Sequence, residues 1–198
     1  MNFEIVKYLD KTSKEIEEIL WDIEFKTNFS KDSCVVVFVS SHGQKEKIFG
    51  IDSEYVYTNN FFNAFNKNQT LSNKPKLFFI DTCRGNNEFE IESIKKNTNL
   101  VDLNLFCIDH FKHNLIAYST IENFMSYMSN NGSIFIKNIC NEINKYEDDD
   151  ISSILRNVNN EIAKETQNKQ LSEFQDRFLA NFYFQPKNEK KDKNKIHI

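Results

Sequence analysis

The chain has 198 residues, of which 39% are apolar, and a formal net charge of −4, so it holds enough apolar material for one well-filled domain. This acidic balance argues against general nucleic-acid binding, because no dominant basic surface is available to release counterions. No apolar run reaches the ~18–20 residues that cross a bilayer, and charges interrupt the N-terminal segment, so neither a membrane span nor a signal peptide is predicted.

The cysteines and histidines show no pattern of a disulfide framework or a metal site. The four cysteines, Cys34, Cys83, Cys107 and Cys140, have no CxxC spacing. Without a secretion signal they predict reduced thiols and a cytoplasmic location. The histidines do not pair with cysteines at zinc-finger spacing, so neither a metal nor a cofactor is expected. Residues 187–198 are rich in Lys and are predicted to form a disordered basic tail.

The first half of the chain alternates strand and helix patterns. Residues 3–8 are a short strand candidate, and residues 12–15 have the form of a capping box that opens a helix ending near Phe25. The apolar run over residues 34–39 is typical of a strand buried on both faces. Phenylalanines on one side of residues 58–66 indicate a second helix.

The second half continues the alternation after one interruption. Residues 76–80 and 115–118 are two further apolar runs, and residues 182–184 predict a last strand. Ser133 and Asp150 are each able to cap a helix that has inward-facing apolar residues. Residues 88–114 have no clear period and are predicted to form a long loop. Strands that alternate with helices indicate an α/β domain whose largely parallel sheet is covered on both faces.

Two of the apolar runs lead into reactive side chains. His42 follows the run over residues 34–39, and Cys83 follows the run over residues 76–80. Because the carboxyl ends of parallel strands meet at one edge of a sheet, we expect the two side chains to lie close together. A neighbouring imidazole can lower the pKa of a thiol or act as its base. Two of the chain's four glycines, Gly43 and Gly85, lie in the same turns, where glycine lets the backbone approach closely.

Cys83 and His42 also allow other interpretations. Taken alone, Cys83 is better explained as a small core residue, and His42 as an ordinary loop histidine. A phosphatase loop needs an Arg six residues after its Cys, where this chain has Phe89, and a thiol–disulfide enzyme needs a second Cys nearby. The pair at two strand ends therefore favours a cysteine nucleophile with a histidine partner.

Several segments resemble motifs of the caspase family. Residues 81–85 read DTCRG and are similar to the caspase signature Q-A-C-[RQG]-G, which has a His upstream. Residues 2–6 resemble the LGFEV strand, and residues 74–78 resemble the KPKLF lead-in to the nucleophile. Residues 116–120 resemble the AYST strand that opens the small subunit, and residues 132–136 its GSWFI helix start. Because these motifs follow one another in the family's order, the chain is identified as a member of the caspase family.

The resemblance implies a fold, a reaction and a division of the chain. The fold is a caspase-like three-layer α/β sandwich, and the reaction is endopeptidase cleavage of a protein or peptide through a thioester. Cys83 is then the nucleophile and His42 the general acid–base, while the amides of Gly43 and Cys83 form the oxyanion hole. Residues 1–186 become a catalytic domain with a large-subunit-like part (1–85), a linker cut on activation of a zymogen (86–114) and a small-subunit-like part (115–186).

The resemblance also implies partners and a pathway. It makes residues 182–184 the strand that pairs across a two-fold interface, so a homodimer or a heterodimer with another caspase is expected. The pathway would be apoptosis or a related proteolytic process. Neither a nucleic acid nor a membrane is expected among the partners.

The expected substrate pocket departs from the family. Caspases hold a substrate Asp with an early Arg, with the Gln two residues before the nucleophile, and with an Arg after Ser-Trp or Ser-Tyr. The segment that supplies the early Arg has no counterpart here, the Gln position is Asp81, and the later tripeptide is Ser126, Tyr127 and Met128. Charged hydrogen bonds are worth ~1.5–3 kcal/mol each, so their loss predicts weak binding of Asp at P1, the residue before the cut.

Asp81 leaves two interpretations open. Paracaspases and metacaspases carry Asp at this position and cleave after Arg or Lys, so an inward-pointing carboxylate predicts a basic P1 residue. Drift in a pocket that is no longer used explains Asp81 equally well. A second hypothesis is therefore a catalytically impaired caspase homologue that binds an active caspase and regulates it. His42 and Cys83 favour the enzyme, whereas the altered pocket favours the regulator.

Overall fold

The computed structural model describes residues 3–85, 111–130 and 132–184. The predicted linker, residues 86–114, lies outside these residues except for positions 111–114, and the predicted basic tail lies outside them entirely. In the described residues the helices are α1 (Ser13–Phe25), α2 (Thr58–Lys67), α3 (Ile134–Lys145) and α4 (Ile151–Glu165). The strands are β1 (Val35–Ser40), β2 (Gly43–Gln44), β3 (Lys47–Phe49), β4 (Tyr55–Tyr57), β5 (Lys76–Asp81), β6 (Asn114–Tyr118), β7 (Met128–Ser129), β8 (Gly132–Ser133) and β9 (Glu173–Asp176).

The centre of the fold is a four-stranded sheet in the order β1-β5-β6-β9. Strands β1, β5 and β6 are parallel, and β9 is antiparallel to β6. Successive side chains of β5 point to opposite faces, so Leu77 and Phe79 enter one core while Phe78 and Ile80 enter the other. Two small antiparallel sheets, β2-β3-β4 and β7-β8, accompany the main sheet.

Helices cover both faces of the main sheet. Buried residues of α1 and α2, among them Leu20 and Phe62, share a core with Phe78. Buried residues of α3 and α4, among them Phe135 and Val158, share the opposite core with Phe79. This three-layer α/β sandwich confirms the fold class that the sequence predicts.

The helices begin at the capping residues that the sequence predicts. Thr12 and Glu15 form a complete capping box at the start of α1, and the hydrogen bond from the Thr12 backbone, aided by Lys11, lowers the pKa of Glu15 to about 2. Ser133 accepts a hydrogen bond from the Ile136 amide at the start of α3, and Asp150 does the same for α4. Each cap satisfies an amide that the first turn leaves without a partner.

Three strand predictions need correction. Strand β1 is at the edge of the sheet in the described residues, so it is only half-buried and Phe38 is 47% exposed. Residues 3–8 are not a strand, and Ile5 is 84% exposed. Residues 182–184 are not a strand either, because they pack on α4, whose Ile151 amide donates to the Phe182 carbonyl. The last strand in the described residues is β9, whose polar sequence EFQD carries too weak a strand signal to be predicted.

Two features are absent from the residues that the structure describes. No helix in them is long and apolar enough to cross a membrane. No cluster of three or more His, Cys, Asp or Glu side chains in them is arranged to hold a metal ion.

Candidate active site

The two predicted catalytic residues follow neighbouring parallel strands at the same height. Ser40 at the end of β1 is paired with Asp81 at the end of β5. His42 and Cys83 each lie two residues beyond that pair. The amide of Ser41 donates to the carbonyl of Asp81 at 3.2 Å, so the two chains remain bonded where the strands end. The sheet therefore brings both residues to one edge, as parallel pairing requires.

The histidine turn, residues 41–43, is attached to the small sheet β2-β3-β4. The His42 carbonyl accepts a hydrogen bond from the Phe49 amide at 3.0 Å, and the Ser41 hydroxyl donates to the Phe49 carbonyl at 2.7 Å. The His42 side chain is exposed, and its imidazole makes no hydrogen bond within the part of the chain that the structure describes. The backbone of the turn is thus held while the ring faces solvent.

The nucleophile turn, residues 82–85, is held by the chain that follows β6. The half-buried Cys83 thiol donates to the carbonyl of Ser126 at 3.9 Å. The Ser119 hydroxyl donates to the Thr82 carbonyl at 3.3 Å, and the Arg84 amide donates to the Phe124 carbonyl at 3.0 Å. The thiol therefore lies between strand β5 and the loop after β6.

Arg84 anchors the nucleophile turn with its side chain. Its guanidinium pairs with Glu173 of β9 at 2.9 Å, donates to the Thr120 carbonyl at 3.2 Å and lies 4.1 Å from the ring centroid of Tyr118. Sequence reasoning did not assign this role, because Glu173 is remote in sequence. The only sequence signal was the presence of a cation directly after the nucleophile.

Two glycines allow close contact at the turns. A Cβ atom on Gly43 would lie 2.6 Å from Thr82 Cβ and 2.9 Å from the Cys83 carbonyl oxygen. A Cβ atom on Gly85 would lie 2.5 Å from Asn123 Cα. The backbone of the histidine turn therefore touches the nucleophile turn at Gly43, where any other residue would force the two apart.

Asp81 is a buried carboxylate two residues before Cys83. Its side chain is 5% exposed. One carboxylate oxygen accepts from the Ser126 hydroxyl at 2.9 Å and the other from the Ser40 hydroxyl at 3.1 Å. No Lys, Arg or His within the described ranges forms an ion pair with it. Hydrogen bonds to two hydroxyls do not neutralise the charge of a buried carboxylate, so a cation placed beside it would be stabilising.

The predicted pocket tripeptide runs past the thiol into β7. Ser126 and Tyr127 are half-buried, whereas the Met128 side chain is 72% exposed. The Tyr127 amide donates to the side-chain oxygen of Gln170 at 2.9 Å. The structure therefore brings Ser126 against Asp81 and Cys83 but leaves Met128 in solvent. Gln170 was not predicted as part of the site, since only its position in the fold connects it to these residues.

A cavity of about 520 Å³ lies away from this site. It is lined by Phe111, Lys112, Arg177, Phe178 and Leu179. The backbone carbonyl of Arg177 accepts a hydrogen bond from the His113 amide. This bond lies at the amino end of β6, opposite to the edge of the sheet that carries Cys83. Arg177 is therefore in no position to supply the missing cation of the Asp81 pocket in this chain.

Comparisons with known proteins agree with one another. The sequence profile of the caspase domain family matches residues 1–183. Caspase-8 of Mus musculus is 30% identical over 184 residues, which cover 82% of this chain and 36% of caspase-8. Caspase-3 of Oryctolagus cuniculus is 31% identical over 171 residues, which cover 83% of this chain and 60% of caspase-3. The chain thus spans about a third of the caspase-8 length and over half of the caspase-3 length.

A solved structure has the same fold. Caspase-1 from Spodoptera frugiperda superposes with a TM-score of 0.77 at 22% identity, covering 94% of this chain and 76% of that one. At this identity the superposition supports the fold alone. The family profile matches nearly the whole chain and does not depend on the superposition. This chain belongs to the caspase family of cysteine peptidases.

Proposed function

We propose that this chain is a cysteine endopeptidase in which Cys83 attacks the peptide bond and His42 handles the proton. The observation that carries the proposal is the register of β1 and β5, which brings the two residues to equal positions past adjacent parallel strands. The contact of Gly43 with the Cys83 backbone supports it further. Catalytic hydrogen bonds are often long before substrate binds and tighten in the complex, so an imidazole that faces solvent is compatible with this role.

The proposed reaction proceeds in two steps. The Cys83 thiolate adds to the scissile carbonyl carbon, and the amides of Gly43 and Cys83 stabilise the oxyanion that forms. His42 gives its proton to the leaving amine as the C–N bond breaks and a thioester forms. His42 then takes a proton from water, whose oxygen attacks the thioester; the C–S bond breaks, the acid is released, and the Cys83 thiolate and protonated His42 are regenerated. Each oxyanion donor is worth about 3 kcal/mol in such reactions.

Asp81 supports a preference for a basic P1 residue. A P1 Asp side chain would be desolvated opposite the buried Asp81 carboxylate, and the described residues offer no cation to separate them. A P1 Lys or Arg would supply the missing cation. Ser126 and Tyr127 are proposed as one wall of the pocket. Met128, in the position where caspases carry an Arg, contributes an uncharged rim.

Matched fluorogenic peptides with Arg, Lys or Asp at P1 test both parts of the proposal. We expect cleavage of the basic peptides, at least about tenfold slower cleavage of the Asp peptide, and none by Cys83→Ala. Asp81→Asn removes the charge but keeps the shape, so it should narrow the difference between Arg and Asp peptides. Efficient cleavage after Asp that Asp81→Asn leaves unchanged would contradict the specificity, whereas full activity of Cys83→Ala would contradict the nucleophile.

A second candidate function is a regulatory homologue that binds an active caspase. The observation that favours it is that both Asp81 oxygens and the Cys83 thiol already have hydrogen-bond partners inside the chain. Labelling with peptide acyloxymethyl ketones that carry Arg or Asp at P1 separates the candidates. Modification of Cys83 by the Arg reagent supports the enzyme. Failure of both reagents, together with co-purification of an active caspase, supports the regulator.

The proposed dimer contact moves from residues 182–184 to β9. Strand β9 is bonded to β6 on one side, and its other edge has no strand beside it among the described residues. Two copies related by a two-fold axis could pair there. Gln175→Lys would bring two cations together at such an axis and should lower the dimer fraction in sedimentation, whereas Tyr183→Lys should not. The reverse result would restore the original prediction.

The remaining expectations are proposals about the cellular protein. A cytoplasmic location, activation by cleavage within residues 86–114 and a role in apoptosis or a related pathway follow from family membership. Mass spectrometry of the purified chain before and after incubation tests the activation step. New termini within residues 86–114, absent from the Cys83→Ala variant, are the expected result.

A further inference from the structure

Gln170 is a buried amide that joins two loops at the candidate site. It is 1% exposed and lies between α4 and β9. Its side-chain oxygen accepts from the Tyr127 amide at 2.9 Å, and its side-chain nitrogen donates to the Ser119 carbonyl at 2.7 Å. Its own backbone amide donates to the Thr166 hydroxyl at 3.1 Å. Both polar atoms of the side chain are thus used, and the backbone that carries it is fixed.

Gln170 is connected to the nucleophile strand and its turn directly through Ser119, and through Ser126, the chain neighbour of Tyr127. Ser119 donates through its amide to the Ile80 carbonyl at 2.9 Å and through its hydroxyl to the Thr82 carbonyl at 3.3 Å. Ser126, next to Tyr127, donates to Asp81 at 2.9 Å and accepts from the Cys83 thiol at 3.9 Å. The hydrogen bonds therefore form a closed ring that leaves β5 through Ser119, passes through Gln170 and returns to the nucleophile turn through Ser126.

We propose that Gln170 is a positioning residue that fixes the cleft segment, residues 126–128, at its distance from Cys83. The side chains of the loop before the cleft segment are partly exposed, 37% for Phe124 and 40% for Met125, and the backbone bonds of this loop to Arg84 lie upstream of Ser126. A buried amide with both atoms bonded is strengthened by the low local dielectric and permits one arrangement of its partners.

The proposal rests on the proposed peptidase function, but it predicts a separable effect. Gln170 touches the cleft segment and not the thiol or the imidazole. Its loss should therefore weaken the binding of peptides more than the reactivity of Cys83. A residue that only supported the end of α4 would instead leave both unchanged, or would lower both together as the fold loosened.

The test compares Gln170→Met, which keeps the length and removes both hydrogen bonds, with Gln69→Met, an exposed control. We expect Gln170→Met to raise KM for the best-cleaved peptide about tenfold, with kcat and the rate of Cys83 alkylation by iodoacetamide each within about threefold of the parent chain. Gln69→Met should leave all three values unchanged. An unchanged KM, or alkylation that falls in parallel with kcat/KM, overturns the proposal.

A second measurement decides the matter where activity is absent or Gln170→Met does not fold. Gln170→Glu keeps an acceptor for the Tyr127 amide, but it replaces the nitrogen that donates to the Ser119 carbonyl with an oxygen, which repels that carbonyl. Hydrogen exchange in the intact chain should then rise in residues 126–128, by about tenfold or more, while the amides of β5 stay protected. Unchanged exchange in the cleft segment overturns the proposal. Absence of peptidase activity in the parent chain counts against the proposed function alone.

Discussion

The histidine turn and the nucleophile turn end neighbouring strands at one height, yet the protein holds them very differently. The nucleophile turn follows a strand whose six residues are all buried, and it is bonded to the loop after β6 and to β9. The histidine turn follows a half-buried strand. Within the described residues its hydrogen bonds go to the small sheet β2-β3-β4 and to Asp81. His42 is exposed, whereas Cys83 is half-buried.

The difference follows from the order of the strands. Strand β5 has a neighbouring strand on each side, so its backbone is hydrogen-bonded along both edges and its side chains enter both cores. Strand β1 has β5 on one side, and the described residues add no strand on the other. An interior strand presents its turn to many neighbours, whereas an edge strand presents its turn to few. The pair thus combines a half-buried thiol, whose turn is bonded to several elements, with a more accessible imidazole.

The largest expected contrast is between the stacked rings Phe79 of β5 and Phe38 of β1. Their centroids are 4.8 Å apart, but Phe79 is fully buried and Phe38 is 47% exposed. Phe79→Ala should lower the free energy of unfolding by about 4 kcal/mol, because it leaves a cavity in a packed core. Phe38→Ala should cost about 1 kcal/mol. Urea denaturation measures both, and equal losses would show that β1 is covered in solution.

The next contrast concerns the glycine that joins the two turns. Gly43→Ala should reduce peptide cleavage about a hundredfold or more, because its methyl group would collide with the Cys83 carbonyl and push the oxyanion donor away. Gly132→Ala is the control, since its Cβ would enter open space and only its positive φ is strained. Initial rates on one peptide compare the two variants. Retained activity in Gly43→Ala would mean that the turns separate without harm.

The ion pair at the nucleophile turn should contribute more to the free energy of unfolding than the ion pair beside the histidine turn. Arg84 pairs with Glu173 with 15% of its side chain exposed, whereas Lys45, beside the histidine turn, pairs with Glu122 with 61% exposed. Arg84→Met should cost about 2 kcal/mol of unfolding free energy, because it leaves Glu173 and the Thr120 carbonyl unpaired. Lys45→Met should cost no more than about 0.5 kcal/mol. Similar values for the two would remove the distinction between the turns.

The smallest expected effect tests the burial of β5 through pH. Burial lowers the pKa of Lys76 to about 8, whereas an unfolded lysine titrates near 10.4. Between these values the unfolded chain binds more protons, so stability should rise with pH. We expect a rise of about 1.5 kcal/mol from pH 8 to 9.5, which Lys76→Met abolishes and the exposed control Lys31→Met retains. A parallel rise in both variants would assign the effect to other groups.

Thiol reactivity shows where burial predictions from sequence fail. Cys34 and Cys140 both lie in apolar stretches of the sequence, which predicts that both thiols are shielded from solvent. The pKa of Cys34 is raised, chiefly by burial, but Cys140 is exposed on α3. In a helix only one stripe, which recurs every third or fourth residue, faces the core, so an apolar neighbourhood in sequence does not guarantee burial. Alkylation experiments on Cys83 should therefore use a Cys140→Ser background.

Local signals made most of the fold predictable. The helix starts at Thr12, Ser133 and Asp150 depend on hydrogen bonds that span three residues, and each was read correctly from the sequence. The apolar runs that became β5 and β6 were also recognised, because an interior strand needs apolar residues on both faces. The polar strand β9 was missed, since its pairing with β6 is a property of the neighbour and not of its own residues.

The sequence by itself determined that a histidine and a cysteine each follow an apolar strand and a tight turn with glycine, and that the residues match the caspase family. Only the tertiary structure decided that β1 and β5 are adjacent and in register, and that Asp81 is buried with no ion-pair partner among the described residues. It also decided that Gln170 and Glu173 hold the site from far along the chain. The physical reason is that caps and turns are made by neighbours in sequence, whereas strand pairing and burial are made by residues that meet only in the folded chain.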